Sequence, residues 1–358
     1  MTIFVNTNLV KMKTLLKNAR FEKKLNAREL AQIIGVDQTL ITRFEKGERI
    51  PTKEQVAALS IALDLSLNEL MKHWIKARIL KEYGSEYQIS EALSLVNEEL
   101  ATYSNNAPDF SSNLKKVLQE IDGLKKQLDQ LRVIDSYRIA QALELEYTFD
   151  SNRIEGNTLT LQETDLVVNE GLTISGKSMR EHLEAINHNE AVAYIKDLVQ
   201  RKVQINEREL LCIHNLLLRG IAPEHAGKYR NVQVMIKGSR HTPPQPFTIQ
   251  KKMEEYFEWY REHKERLHPV LLAAEMHERL VTIHPFIDGN GRTSRLIMNL
   301  LLLQNGYVLA NIKGDYANRI NYYKSLEAVQ TKEDNESFLL FAAQIEKDCL
   351  IRYLQILT

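Results

Sequence analysis

Residues 284–295 read HPFIDGNGRTSR and bring an imidazole, a carboxylate, a Gly-Asn-Gly turn and two guanidinium groups into one short stretch. The run that follows, RTSRLIMNLLLL, has helical character, so Gly289, Asn290 and Gly291 precede or open a helix whose first N–H groups form an anion site suited to a pyrophosphate. Glycine belongs there because a Cβ would obstruct the approach of the anion. Asp288 supplies a hard oxygen suited to a Mg2+ ion bridging phosphates. Arg292 and Arg295, three residues apart, share a helical face and can each fork onto phosphate oxygens. His284 titrates near neutrality in its ordinary state, so it can take a proton from an incoming hydroxyl. The competing reading of the same residues is a satisfied polar cluster at a helix end.

Every fixed position of HxFx(D/E)GNGRxxR is filled, and in this the segment resembles the signature of the Fic family. AGKYR at 226–230, GSRHTPP at 238–244 and EHLEAINHNEA at 181–191 are also family-like, so the resemblance extends over roughly residues 140–350. It implies a protein adenylyltransferase that moves AMP from ATP to a hydroxyl of a target protein. His284 would be the general base, Asp288 the Mg2+ ligand, Gly289, Asn290 and Gly291 the anion hole, and Arg292 and Arg295 the phosphate ligands. The segment carrying Lys237, Gly238, Ser239, Arg240 and His241 would be a flap that holds the target by strand addition. Relatives that transfer phosphate with the nucleotide reversed carry Lys where Gly291 stands, so AMP transfer is expected.

SNRIEG at 151–156 resembles the family's inhibitory motif (S/T)xxxE(G/N). The resemblance implies that Glu155 pairs with Arg295 and obstructs the γ-phosphate, so that the resting enzyme is restrained by its own preceding helix. Without the family, Glu155 reads as an exposed acid at a helix end. Thr160 to Glu163 forms a capping box for the next helix. Tyr322 and Tyr323 can stack on adenine or simply pack. His182, His188, Glu181 and Glu184 read as ordinary helical residues, without zinc spacing.

Near the other end, LKNARFEKKL, NARELAQIIG and VDQTLITRFEKGERIP alternate helix and turn. Asn26 is a candidate cap, Gly35 a break and Asp37 a second cap, with Ala31, Ile34, Ile41 and Phe44 facing inward. Residues 29–47 resemble the lambda-repressor (Xre) helix-turn-helix type, which implies that Gln38, Thr39, Thr42 and Arg43 face a DNA major groove. Ala27 replaces the usual glutamine there, removing one common DNA contact. The alternative is a small bundle used for packing or dimerisation. Residues 1–49 carry ten Lys or Arg against five acids, whereas the whole chain balances 47 against 47. Any attraction to nucleic acid must therefore be local.

To position these groups the 358 residues, 44% of them hydrophobic, are expected to fold as a mainly helical, all-α protein. The expected parts are a helix-turn-helix domain at 1–75, a helical linker at 76–135 and a Fic domain at 136–358. Residues 104–112 are the candidate break and 114–131 a heptad-like helix packed on its neighbours. Alternation at 232–246 predicts a β-hairpin. Cys212 and Cys349 read as reduced core residues. No leader pattern or membrane-length apolar run is visible, so a cytoplasmic enzyme is expected, using ATP and Mg2+. Its target is open and includes the chain itself, its N-terminal module admits DNA, and lambda-type domains commonly pair as homodimers. Two other functions stay open: removal of AMP by the same site, and a transcription repressor that senses nucleotide.

Overall fold

Where the backbone turns in the first unit, residues that tolerate or cap turns are in place. Asn26 closes a capping box with Glu29, Asp37 accepts from the Thr39 N–H, and Gly35 and Gly47 take left-handed backbone at φ 68° and 77°. The computed structural model describes residues 12–84, 88–104, 110–131, 137–236, 238–332 and 334–357. Its chain divides into two compact units, 1–109 and 110–358. The first holds α1 (Met12–Glu22), α2 (Ala27–Ile34), α3 (Gln38–Lys46), α4 (Lys53–Leu63), α5 (Leu67–Tyr83) and α6 (Ile89–Ser104).

The core of this unit is built from Leu16, Leu30, Ala31, Ile41, Phe44, Val56, Leu59 and Leu70. Ile34, expected inside, is only partly buried, and Leu30 takes the inner position instead. Arg20 forks onto Glu45 at 2.6 and 2.9 Å and also donates to the Leu25 carbonyl, tying α1 to α3. Gln38, Thr39 and Arg43 are exposed and Thr42 is half-buried.

In the second unit the helices are α7 (Ser112–Leu131), α8 (Tyr137–Ile154), α9 (Leu161–Asn169), α10 (Met179–Gln200), α11 (Glu207–Leu218), α12 (Ile249–His263), α13 (Pro269–Ile283), α14 (Asn290–Gln304), α15 (Tyr316–Lys332) and α16 (Asn335–Leu357). The central element is α14, buried at Asn290 and at every position from Arg292 to Leu302 and packed by α8, α10, α11 and α13. A helix buried all round is normally apolar throughout. This one carries Arg292, Thr293, Ser294, Arg295 and Asn299 inside, so each must find partners among its neighbours. Asn299 does so by donating to the Ala310 carbonyl at 3.2 Å and accepting its N–H at 2.7 Å.

Two expectations need correction. The stretch 76–135 is no linker, because residues 76–83 complete α5 while α7 packs on α16 and buries Leu114, Val117, Ile121 and Leu128 in the second core. Of the candidate break, residues 105–109 lie outside the described residues. The hairpin at 232–246 contains no strand among the described residues, and Lys237 lies outside them. Its second arm carries Pro243, Pro244 and Pro246, which have no N–H to give to a ladder. Side chains join the arms instead: Gln233 donates to the Pro243 carbonyl at 2.9 Å, and Arg230 donates to the Val232 and Pro244 carbonyls at 3.0 and 2.6 Å. The expected turn is present, with Gly238 at φ 80° and the Ser239 N–H donating to the Ile236 carbonyl.

Both cysteines are free, and no helix among the described residues is long and apolar enough to cross a membrane. Replacing Asn299 by Ala strands the Ala310 N–H and C=O in the core. The expected loss is about 2–4 kcal/mol of unfolding free energy, read from urea unfolding of the full chain.

Candidate active site

His284 stands at the C-cap of α13 with φ 50°, a left-handed conformation uncommon outside glycine, so its ring leaves the helix where the chain turns toward α14. Its Nδ1 donates to the Val281 carbonyl at 3.3 Å, which leaves the Nε2 lone pair unprotonated in the neutral ring. Burial lowers the imidazole pKa to about 4, the Val281 carbonyl opposing and Arg230 and His241 assisting. At neutral pH the ring is therefore a free base.

The turn between the two helices is fixed from both sides. Asn290 accepts the Phe286 N–H at 3.0 Å and donates to the Phe286 carbonyl at 2.9 Å, so its side chain clamps the loop. Phe286 is fully buried and stacks on His214 with centroids 3.6 Å apart. His214 accepts the Gly227 N–H on Nδ1 and donates from Nε2 to the Asp288 carbonyl at 3.0 Å. Arg230, also buried, donates through Nε to the His284 carbonyl at 2.8 Å, and its N–H reaches the Pro285 carbonyl. Gly289, at φ 80°, then opens α14 with no side-chain cap, so the first N–H groups of that helix are left for an external anion.

Two arginines line this helix start. Arg292 is 2% exposed and lies 3.3 Å from Asp288 and 3.5 Å from Glu184, with no hydrogen-bond partner for Nε or NH1. Arg295 donates to Ser151 Oγ at 3.0 Å, to the Ser151 carbonyl at 2.9 Å and to Glu155 Oε1 at 2.7 Å, and its NH1 is unpartnered. Burial works against its charge, but Glu155, together with Tyr322 and Tyr147, holds the guanidinium above its ordinary pKa. A Cβ on Gly291 would collide with Glu155 Oε1, so this carboxylate lies directly over the start of α14. Buried N–H groups without partners beside an uncapped helix start suit a polyphosphate.

Asp288 accepts the Gly289 N–H at 2.6 Å on Oδ1 and Arg180 at 2.7 Å on Oδ2. Burial would raise its pKa, but Arg292, the Gly289 N–H and Arg180 prevail and keep it below the ordinary carboxylate range. No group of three or more His, Cys, Asp or Glu able to hold a metal occurs among the described residues. The donor set fits a Mg2+ ion carried in on phosphates, for which one carboxylate is enough, and not an all-protein cage.

The end of α8 brings in Glu155. Asn152 donates to the Glu184 carbonyl at 3.2 Å, and Asn157 donates to the Glu181 carbonyl and to Glu184 Oε2, both at 3.0 Å, so the turn after α8 is fastened to α10. Tyr323 donates to the Ile154 carbonyl at 3.2 Å and keeps a half-exposed ring beside the site. Tyr322 is 2% exposed, packs with Phe338 and Phe341 and bonds His277. It has no open face for adenine and is a core residue. Glu184, which reads from the sequence as an ordinary helical residue, is buried against Arg292.

On the flap segment His241 bonds the Thr282 carbonyl at 2.9 Å. Arg240 instead points to solvent, 3.9 Å from Glu327. Arg180, His214 and Arg230 were not singled out from the sequence. Only AGKYR at 226–230, family-like in sequence, marks Arg230.

Two family models match the chain, Fic/DOC family over residues 204–302 and helix-turn-helix over 16–70. The chain is 30% identical to protein adenylyltransferase Fic of Drosophila persimilis over 93% of its own length and 70% of that protein. It is 32% identical to protein adenylyltransferase Fic of Nematostella vectensis over 77% of its length and 67% of that relative. The solved structure of Fic-1 from C. elegans has a similar fold, with a TM-score of 0.61 at 22% identity, covering 96% of this chain and 98% of that one.

Three buried histidines and the partly buried His284 make stability depend on pH. His284 and His214 are lowered to about 4, and His188 and His277 well below 6.5, in each case first by burial. Unfolded imidazoles bind protons below about 6.5 that the folded ones refuse. The contribution of these groups is thus intact above that value and is lost as pH falls from about 6.5 toward 4. Urea midpoints should drop between pH 7.5 and 5, and in NMR titration of the folded chain His284 should not move near 6.5.

Proposed function

The chain belongs to the Fic/DOC family of nucleotidyltransferases, and on that premise we propose that it transfers AMP from ATP to a hydroxyl of a target protein, with Glu155 restraining the resting enzyme. The observation that carries this reading is the His284 imidazole, held through Nδ1 at the end of α13, just ahead of the uncapped start of α14 with its two buried arginines and their unpaired N–H groups.

In the proposed reaction the target hydroxyl oxygen bonds to the α-phosphorus, the bond from that phosphorus to the bridging oxygen breaks, and pyrophosphate leaves. His284 Nε2 takes the hydroxyl proton as the new bond forms. Arg292, Arg295 and the N–H groups of Asn290 and Gly291 receive phosphate oxygens, and they stabilise charge without having to reorganise. A Mg2+ ion held by Asp288 and the phosphates would supply neutralisation of charge on the departing pyrophosphate. Tyr323 is the aromatic side chain proposed for adenine, and the segment from Gly238 to His241 is the proposed rest for the target.

The restraint follows from competition. One guanidinium, Arg295, is shared between Ser151 and Glu155, and the carboxylate covers the spot where a phosphate would meet Gly291. Removing it frees a charge-assisted contact worth about 1.5–3 kcal/mol, on the order of ten- to a hundredfold in ATP affinity. For Glu155→Gly, mass spectrometry after ATP and Mg2+ should find an added AMP on the chain or on a supplied protein. Wild type should show little, and Glu155→Gly combined with His284→Ala none. Equal labelling of wild type and Glu155→Gly would remove the restraint from the account. Loss of AMP from a labelled target in wild type alone would make AMP removal the resident activity.

For the first unit we propose DNA binding by α3. Gln38, Thr39, Thr42 and Arg43 share its outer side, and the half-exposed or exposed charges of that segment are mainly basic. The proposal includes a homodimer in a reducing cytoplasm, to which two free cysteines are suited. Arg43→Ala should weaken binding to a selected duplex by about 1–3 kcal/mol if Arg43 reads a base. If it meets only phosphate, binding should weaken evenly across sequences, with a shallower salt dependence. Gel-shift titrations at several salt concentrations distinguish the two.

A further inference from the structure

Asp288, Arg180, Glu184 and Arg292 form a closed ring of alternating charge. Arg180 NH2 meets Asp288 Oδ2 at 2.7 Å and its Nε meets Glu184 Oε1 at 3.0 Å. Arg292 closes the ring, with NH1 at 3.5 Å from Glu184 Oε1 and NH2 at 3.3 Å from Asp288 Oδ1. The two arginines differ in freedom. Arg292 is 2% exposed at its side chain, whereas Arg180 is 57% exposed and can leave for solvent.

The position of Arg180 is costly for a helix. It is the second residue of α10, whose start is already capped by Ser178 and Glu181, and a cation in the first turn opposes the helix dipole. Its two carboxylate partners offset that cost. Of the Asp288 oxygens, Oδ1 is taken by the Gly289 N–H and by Arg292, which leaves Oδ2 as the atom that Arg180 holds.

We propose that Arg180 is a resident cation that occupies Asp288 Oδ2 before metal arrives and competes with the divalent ion for that atom. The inference rests on the reading that Asp288 receives metal-bound ATP. When the ion takes Oδ2, Arg180 lets go through NH2 and stays tethered to Glu184 through Nε. Without metal, the guanidinium is what keeps the Asp288 charge from repelling the triphosphate. Arg180 is thus a positioning residue with opposite effects in the two conditions: it helps metal-free ATP and hinders entry of the ion.

The test uses the full chain carrying Glu155→Gly, so that the carboxylate over Gly291 does not oppose ATP, with and without Arg180→Gln. ATP affinity is measured by calorimetry in EDTA and across a MgCl2 series. In EDTA, Arg180→Gln should weaken ATP binding by about two- to fivefold, the scale of a partly exposed ion pair. The Mg2+ concentration giving half of the full affinity gain should fall by about the same factor. Arg180→Lys should stay close to the parent in EDTA. Equal weakening at every Mg2+ concentration would make Arg180 a plain phosphate ligand and overturn the proposal, as would no change in either arm. Failure of ATP to bind any variant, with or without Mg2+, would overturn the nucleotide reading and this inference with it. Failure of this inference alone leaves ATP binding intact.

Discussion

A single buried guanidinium, that of Arg295, organises the second unit around it. It lies on the central helix, 1% exposed, and meets the backbone and side chain of Ser151 as well as the Glu155 carboxylate. A buried charge with this many donors needs its partners, because leaving it unpaired costs several kcal/mol. The end of α8 is therefore drawn to the start of α14, and the Asn152 and Asn157 contacts with α10 follow from that approach. The same arrangement leaves one nitrogen, NH1, without a partner. The arginine is anchored well enough to be rigid and is incompletely satisfied on the side of the helix start.

How much of this was legible in the sequence depended on whether the chemistry was contiguous. His284, Asp288, Gly289, Arg292 and Arg295 lie within a dozen residues, and the order of a base, a turn and a helix could be read from their types. Glu155 could be read only because its spacing and following glycine resemble a known motif, since an isolated glutamate after a helix carries no such message. Arg180, His214 and Arg230 come from other elements and reach the site through tertiary packing, so no local pattern marks them. Asn290 was read as part of an anion hole, but its side chain is spent on Phe286, leaving only its backbone N–H for that task.

Fold-level expectations held where capping and periodicity agreed, and failed where one pattern had two physical outcomes. Asn26, Asp37 and Thr160 cap the helices they were expected to cap. Alternation at 232–246 could not become a ladder, because three prolines in one arm removed the donors. Residues 114–131 form the packed helix expected of them, but the apolar stripe of α7 at Leu114, Val117, Ile121 and Leu128 belongs to the larger core and not to a linker. Tyr322 shows the limit of residue type as a guide, for its ring and hydroxyl serve the interior as well as they would serve a base.

Arg230 gives the second unit a mechanical property that no local motif describes. One side chain holds both arms of the 232–244 segment and, through Nε, the carbonyl of the very residue whose ring is the candidate base. The surface that would receive a substrate and the atom that would take its proton therefore share one hinge pin. A polypeptide that seated itself crookedly on that segment would twist the imbalance directly into His284, so poor fit would be felt as poor alignment of the base rather than as weak attachment. Selectivity would then lie in how well a bound chain is aligned for reaction, and a loosely matched protein could adhere without being modified.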